Sequence, residues 1–306
     1  MKKPPRSVPR AKPKKSRART AVAPAKPSSG GLPDRRAMEG VMANLFGRVA
    51  ANANGAVDEA QELMYDAWEA SGAERVALAR SALDISPLCA DAYVLLAEEG
   101  AHTEQDVLDL YRRGVEAGER ALGDEFDELA GQFWGFLQTR PYMRARAGLA
   151  ATLWRQGDQQ AAIGHYRSLL ILNPNDNQGI RYLLATALLA RNELAELRDL
   201  LRQYEEDGSA AWAYTLALLA YRDQDPDGST NAREAWEANL HVPAMLAGLS
   251  RPAPSRDGYI SMGGADEATA YVEENGAAWR AVPGAIEWLL ERTAELKPRH
   301  GGRKAR

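Results

Sequence analysis

The chain has 306 residues, 45% of them hydrophobic, a single cysteine and a formal net charge of −4. That composition excludes a wholly disordered chain and a disulfide framework, and the longest uncharged run, Gly208 to Tyr221, is shorter than the roughly 18 apolar residues a membrane span requires. The charge is divided by position: residues 1–33 hold ten bases and no acid, residues 297–306 hold five bases, and 34–296 sets 23 arginines and no lysine against all 42 acids, a balance of −19.

In chain order, residues 1–33 carry seven of the sixteen prolines and no apolar run for a signal peptide. Proline this frequent also prevents the amphipathic helix of a mitochondrial leader. Residues 1–36 are therefore expected to be a disordered Pro/Lys/Arg-rich tail, and 297–306 a basic C-terminal tail. Cys89 lies among apolar residues, as a small core side chain does, and a cytoplasmic location follows from the absence of secretion signals.

From Asp58 onward the apolar residues recur at three- and four-residue steps, which places them on one face of successive helices. Asp58–Ala70 and Glu74–Ile85 form a first hairpin closed by Pro87; Cys89–Gly100 and Glu104–Leu122 form a second. Phe133, Trp134, Phe136 and Leu137 then make an insertion, a packing plug or a binding patch. The clearest unit is Met143–Asp176: Leu149, Ala150 and Leu153 on its first helix, Gly157 ending that helix, Asp158 capping the next, and Pro174 stopping it. Asn177–Asp207 follows, with Asn175 and Gln178 as its capping box, then Ser209–His241, with Asn231 and Glu234 as another. Ala265–Asn275 and Trp279–Leu296 read as terminal helices. No alternating strand pattern appears, so the fold class is all-α, with one helical-repeat domain over 37–296 whose clearest repeats span 143–243.

Leu149, Ala150, Gly157, Ala162, Tyr166 and Pro174 stand where the tetratricopeptide repeat has its small or apolar residues and its closing proline, with Arg146 in place of the usual Trp, and the unit resembles that repeat. The segments AYVLLAEE (Ala92–Glu99), RPYMRARAGLA (Arg140–Ala150) and NPNDNQGIRYLL (Asn173–Leu184) also resemble the suppressor of tumorigenicity 7 family and its bacterial repeat-protein relatives, over residues 80–290. These resemblances imply a solenoid of helical hairpins that binds other proteins, without established catalytic residues. Eukaryotic members of that family carry membrane-spanning segments that have no counterpart in this sequence.

The chemistry-bearing residues point the same way. No nucleophile elbow, phosphate loop, zinc-protease motif or cysteine pair occurs, and His102, His165, His241 and His300 have no metal-ligand spacing, so no enzyme is expected. From Asp223 the chain reads Asp-Gln-Asp-Pro-Asp-Gly-Ser-Thr-Asn-Ala-Arg-Glu, which places Asp223, Asp225, Asp227 and Glu234 as calcium ligands of an EF-hand-like loop; an acidic inter-helix turn is the competing reading. The tetratricopeptide pattern places Arg144, Trp154, Arg155, Arg181 and Tyr182 on the concave face, with Tyr214 and Tyr221 following. Guanidinium groups beside aromatic rings suit an acidic or C-terminal peptide segment; intramolecular pairing within the acidic body is the alternative. The expected function is a non-enzymatic scaffold for protein or peptide partners. The alternative is a nucleic-acid-associated protein recruited through the basic arm, residues 1–33.

Overall fold

Glycine and short polar residues set the turns that define the architecture. Gly157 takes a left-handed φ of +89°, Asp158 N–H donates to the Leu153 carbonyl at 3.0 Å, and the Asp158 carboxylate accepts from Ala161 N–H. One helix is thus stopped and the next capped within three residues. Thr103 and Asp106 form a reciprocal capping box in the same way.

The computed structural model describes residues 35–46, 55–253, 255 and 260–296; the proposed basic tails, apart from Arg35 and Arg36, lie outside them. Its helices are α1 (Arg35–Phe46), α2 (Gly55–Glu69), α3 (Gly72–Ile85), α4 (Ala90–Leu95), α5 (Glu104–Leu122), α6 (Glu125–Glu128), α7 (Arg140–Arg155), α8 (Gln159–Leu172), α9 (Ile180–Ala190), α10 (Leu194–Gln203), α11 (Ala210–Asp223), α12 (Gly228–Ala238), α13 (Val242–Leu246), α14 (Ala265–Arg280) and α15 (Ala285–Thr293). A π-turn, Leu96–Gly100, continues α4, and two 3-10 turns, Phe133–Gly135 and Leu137–Thr139, precede α7. Among the described residues there is no strand, and no helix is long and apolar enough to cross a membrane.

The fold is an all-α helical solenoid. Helices pair as α2–α3, α4–α5, α7–α8, α9–α10 and α11–α12, and adjoining pairs meet through α3–α4, α5–α7 and α8–α9, while α13, α14 and α15 pack on one another and on α9, α11 and α12. Each hairpin buries an apolar side against its neighbours. Two groups of buried side chains result, one spanning α1–α4 and one running from α4 to α15, and Leu110 packs against both.

Four sequence expectations are corrected. Helix α1 begins at Arg35, within the span expected as tail, and corresponds to no helix expected from the sequence. The break between Asn275 and Trp279 is absent: Asn275 is buried inside α14, where Trp279 Nε1–H donates to the Tyr271 hydroxyl at 2.8 Å and packing overrides the Asn-Gly turn signal. Asn231 and Glu234 lie within α12 rather than at its start. The N-cap position of α9 is Gly179, and its first N–H groups, Ile180 at 2.7 Å and Arg181 at 2.9 Å, donate to the Asp176 carboxylate, instead of to a box of Asn175 with Gln178.

The insertion before α7 is a plug at Phe133, fully buried and edge-to-face with Phe126 at 5.0 Å. Close helix approach also depends on Gly148, because a Cβ there would stand 2.1 Å from Tyr111 Cε1. Gly148→Ala must displace a packed ring, so thermal and urea unfolding should show a loss of about 1–3 kcal/mol; an unchanged midpoint would show that the α5–α7 contact is loose.

Candidate functional site

Two arginine-centred networks dominate the polar interior. In the first, Arg144 on α7 projects between α1, α2 and α4. Its Nε and Nη2 donate to Asp91 Oδ1 and Oδ2 at 2.8 and 2.7 Å, and its Nη1 donates to Glu39 Oε1 and Oε2 at 3.1 and 3.0 Å. Arg140, one helical turn earlier, donates from Nη1 to Glu39 Oε1 at 3.0 Å and from Nε to the Trp134 carbonyl at 3.0 Å. Gln61 Nε2–H completes Asp91 at 2.9 Å. Glu39 and Asp91 retain 6% and 0% exposure, so these carboxylates have exchanged water for guanidinium partners. Burial opposes the charge on Arg144, but Asp91 and Glu39 more than offset it and hold the guanidinium above its ordinary pKa.

The network extends to its flanks. Arg36 and Arg144 both lie over the Trp68 ring, 5.4 and 5.3 Å from its centroid. The π-turn after α4 directs consecutive carboxylates to different helices, Glu98 to Arg36 on α1 at 2.9 Å and Glu99 to Arg75 on α3 at 3.0 Å. Cys89, beside Asp91, is buried, and burial followed by the neighbouring carboxylate pushes its thiol up to about 12, which leaves it protonated and inert.

The second network centres on Arg181 of α9. Its Nε donates to Asp207 Oδ2 at 2.7 Å, Nη1 to Asp176 Oδ2 at 3.0 Å and Nη2 to the Tyr182 hydroxyl at 2.8 Å. The guanidinium also lies over the rings of Tyr182, Tyr204 and Trp212, at 4.4, 5.4 and 5.9 Å. Tyr182 donates to Asp207 at 2.7 Å and meets Trp212 edge-to-face at 5.4 Å. Desolvation wins at Asp176, whose pKa is raised despite its donors. At Asp207 burial pulls upward, but hydrogen bonds from Ser209, Tyr182 and Arg181 prevail and lower it. A carboxyl depressed in the fold stabilises it above the unfolded value, near ~3.9, and that contribution is lost as pH falls through the folded value. Asp207→Asn should therefore flatten the acid limb of unfolding free energy against pH, measured by urea titration; an unchanged limb would show that Asp207 contributes nothing to it.

The other sequence-selected residues are dispersed. Trp154 is half-buried and packs on the core, and Arg155 is exposed with its Nη2 donating to Thr152 Oγ1 at 3.2 Å. Tyr214, expected to line the concave face, is a core residue whose hydroxyl donates to the Asn239 carbonyl at 2.6 Å. Tyr221 reaches the Pro283 carbonyl at 3.0 Å. At the expected calcium loop α12 begins at Gly228, so Glu234 lies along a helix, and Asp223 ends α11 with both oxygens accepting from Arg198 Nη2 at 2.7 and 2.6 Å. Asp225, Asp223, Asp227 and Glu234 do not converge, and among the described residues no group of three or more His, Cys, Asp or Glu side chains is placed to hold a metal ion. An acidic inter-helix turn remains.

Sequence reasoning missed Glu39 and Asp91 as partners of Arg144, and Arg140 as the second donor to Glu39. The available signal was position: Asp91 immediately precedes AYVLLAEE, Arg140 opens RPYMRARAGLA, and Asp176 lies in NPNDNQGIRYLL. These segments supply Arg140, Arg144, Asp176 and Arg181, whereas Asp91 adjoins one of them and Glu39 and Asp207 lie elsewhere in the chain.

A stack of helical hairpins pinned by buried arginine–carboxylate networks defines an all-α, repeat-type protein. The ST7 protein family model matches residues 50–297, and the chain belongs to that family. It is 28% identical over 274 residues to a Protein ST7 homolog of Caenorhabditis elegans, covering 74% of this chain and 49% of the relative. The match to the Suppressor of tumorigenicity 7 protein-like of Rattus norvegicus is 28% over 261 residues, covering 74% and 45%. A Protein ST7 homolog of Drosophila melanogaster is 27% identical over 264 residues, covering 76% and 48%. The chain spans about half the length of the curated relatives it matches.

Proposed function

We propose that this chain is a non-enzymatic, cytoplasmic helical-repeat scaffold, tetratricopeptide-like in use, that binds protein or acidic peptide segments through its arginine-bearing helices. The observation that supports this reading most is the seat of Glu39: Arg140 and Arg144 hold a carboxylate presented by a separate helix, α1. Guanidinium pairs that grip a carboxylate in cis have the geometry to grip one on a partner. Trp154 and Arg155 stand at the far end of the same helix, α7, and Arg181 with Tyr182 forms an aromatic clamp on α9.

Affinity capture with the immobilised full chain tests the reading. A defined set of proteins should be retained, and Arg155→Glu should weaken that retention without changing the circular dichroism spectrum. If capture matches a blank surface, the scaffold reading fails. A DNA or RNA mobility shift that salt abolishes and deletion of residues 1–33 removes would favour the nucleic-acid-associated alternative.

A further inference from the structure

Over its described side chains, residues 36–43, helix α1 presents an inverted amphipathicity. Its inward side carries Arg36, Ala37, Glu39 and Gly40, while Met38, Val41 and Met42 are 53%, 47% and 37% exposed. Of its described side chains only Ala37 joins the apolar core; the described polar contacts of α1 include Glu39 to Arg140 and Arg144, Arg36 to Glu98, and Arg36 over Trp68. It also lies outside the stretch matched by the family model, which begins at residue 50, whereas Arg140, Arg144, Asp91 and Glu98 all lie within it.

The seat is shaped as well as charged. A Cβ at Gly40 would stand 2.8 Å from Tyr65 Cγ, so the residue following the carboxylate must be glycine for the helix to approach this closely. Arg36 and Glu39, one turn apart on α1, meet Glu98 and the two arginines in complementary order.

We propose that Arg140, Arg144, Trp68, Tyr65 and Glu98 form a docking site for a helical segment bearing a base, a carboxylate three residues later and then glycine, and that α1 occupies this site in cis. The site rests on the reading of the chain as a binder of protein segments and adds the class of segment and its control. A partner helix with this pattern displaces α1, and the apolar stripe of Met38, Val41 and Met42 leaves with it. Tethering sets an effective concentration on the order of millimolar, so α1 prevails over any free segment present at micromolar levels and of similar intrinsic affinity. Arg144 keeps its fork to Asp91 and Arg140 its bond to the Trp134 carbonyl when Glu39 departs, so the body retains satisfied arginines in the open state.

The probe is a fluorescein-labelled peptide of residues 33–46, titrated by anisotropy against the full chain and its Glu39→Ala and Glu39→Gln variants. The native chain should bind it weakly and Glu39→Ala at least about tenfold more tightly, because the competing α1 has been weakened; Arg140→Ala in the Glu39→Ala background, or a peptide carrying E39Q, should lose that gain. Hydrogen exchange on Glu39→Gln and Glu39→Ala should show faster exchange confined to residues 35–46. Equal binding to native and Glu39→Ala chains, no binding to either, or loss of protection throughout α2–α7 in both variants would each overturn the proposal, the last by making Glu39 part of the fixed core. Equal peptide binding by native and Glu39→Ala chains, with a defined set of proteins still captured, would refute occupancy in cis while leaving the scaffold reading intact. Peptide binding without any captured protein would refute the scaffold reading alone.

Discussion

Arg144→Ala is expected to lower the unfolding free energy by about 3–5 kcal/mol, the cost of breaking a buried ion pair by removing one partner. Asp91, with no exposure, would keep only the Gln61 amide, and Glu39 would keep only Arg140. Asp91→Ala should cost a similar amount, because it leaves Nε and Nη2 of the buried guanidinium without their acceptors. Replacing both ends together, Arg144→Met with Asp91→Leu, should recover most of the loss, since a buried pair exchanged for apolar side chains of similar volume is often neutral or better. Urea unfolding of the three variants decides the matter. Additive losses in the double variant would mean that the two groups act on stability independently of each other.

The second large effect is at Trp212, where Trp212→Ala is expected to cost about 3–5 kcal/mol by leaving a cavity. The indole is almost wholly buried, meets Tyr182 and Tyr204 edge-to-face at 5.4 and 6.3 Å, and donates from Nε1 to the Leu201 carbonyl at 3.4 Å. Its loss also removes one wall of the Arg181 clamp. Trp154→Ala should cost less, because that ring is half-buried, and any larger consequence should appear in partner affinity. Thermal melts of both variants compare the rings directly. Equal destabilisation would make Trp154 a packing residue and remove it from the proposed surface.

The chemistry of the arginines was more legible than their partners. Guanidinium beside aromatic rings in an acidic body points to carboxylates, and both Arg144 and Arg181 bind carboxylates. Whether those belonged to a partner or to the same chain was not written locally. Asp91 lies 53 residues from Arg144 and Glu39 lies 105 away. Local spacing is similarly silent about the acidic turn: Asp223, Asp225, Asp227 and Glu234 are spaced as in a loop, and α12 starts at Gly228 and takes the second half of that stretch into a helix.

Residue order by itself determined the all-α class, the hairpin succession and the turns at Gly157 and Asp158, because helical periodicity and capping act over a few residues. The tertiary structure alone decided the length of α14, the presence of α1 and the identity of every buried ion pair. Over residues 36–43, α1 has its charged and small side turned inward, the reverse of the pattern by which a helix announces itself, and only the surroundings of Arg140 and Arg144 make that side the one to bury. A buried charge is tolerable only where its counter-charge is already held in place, and that condition is met by helices brought together from distant parts of the chain.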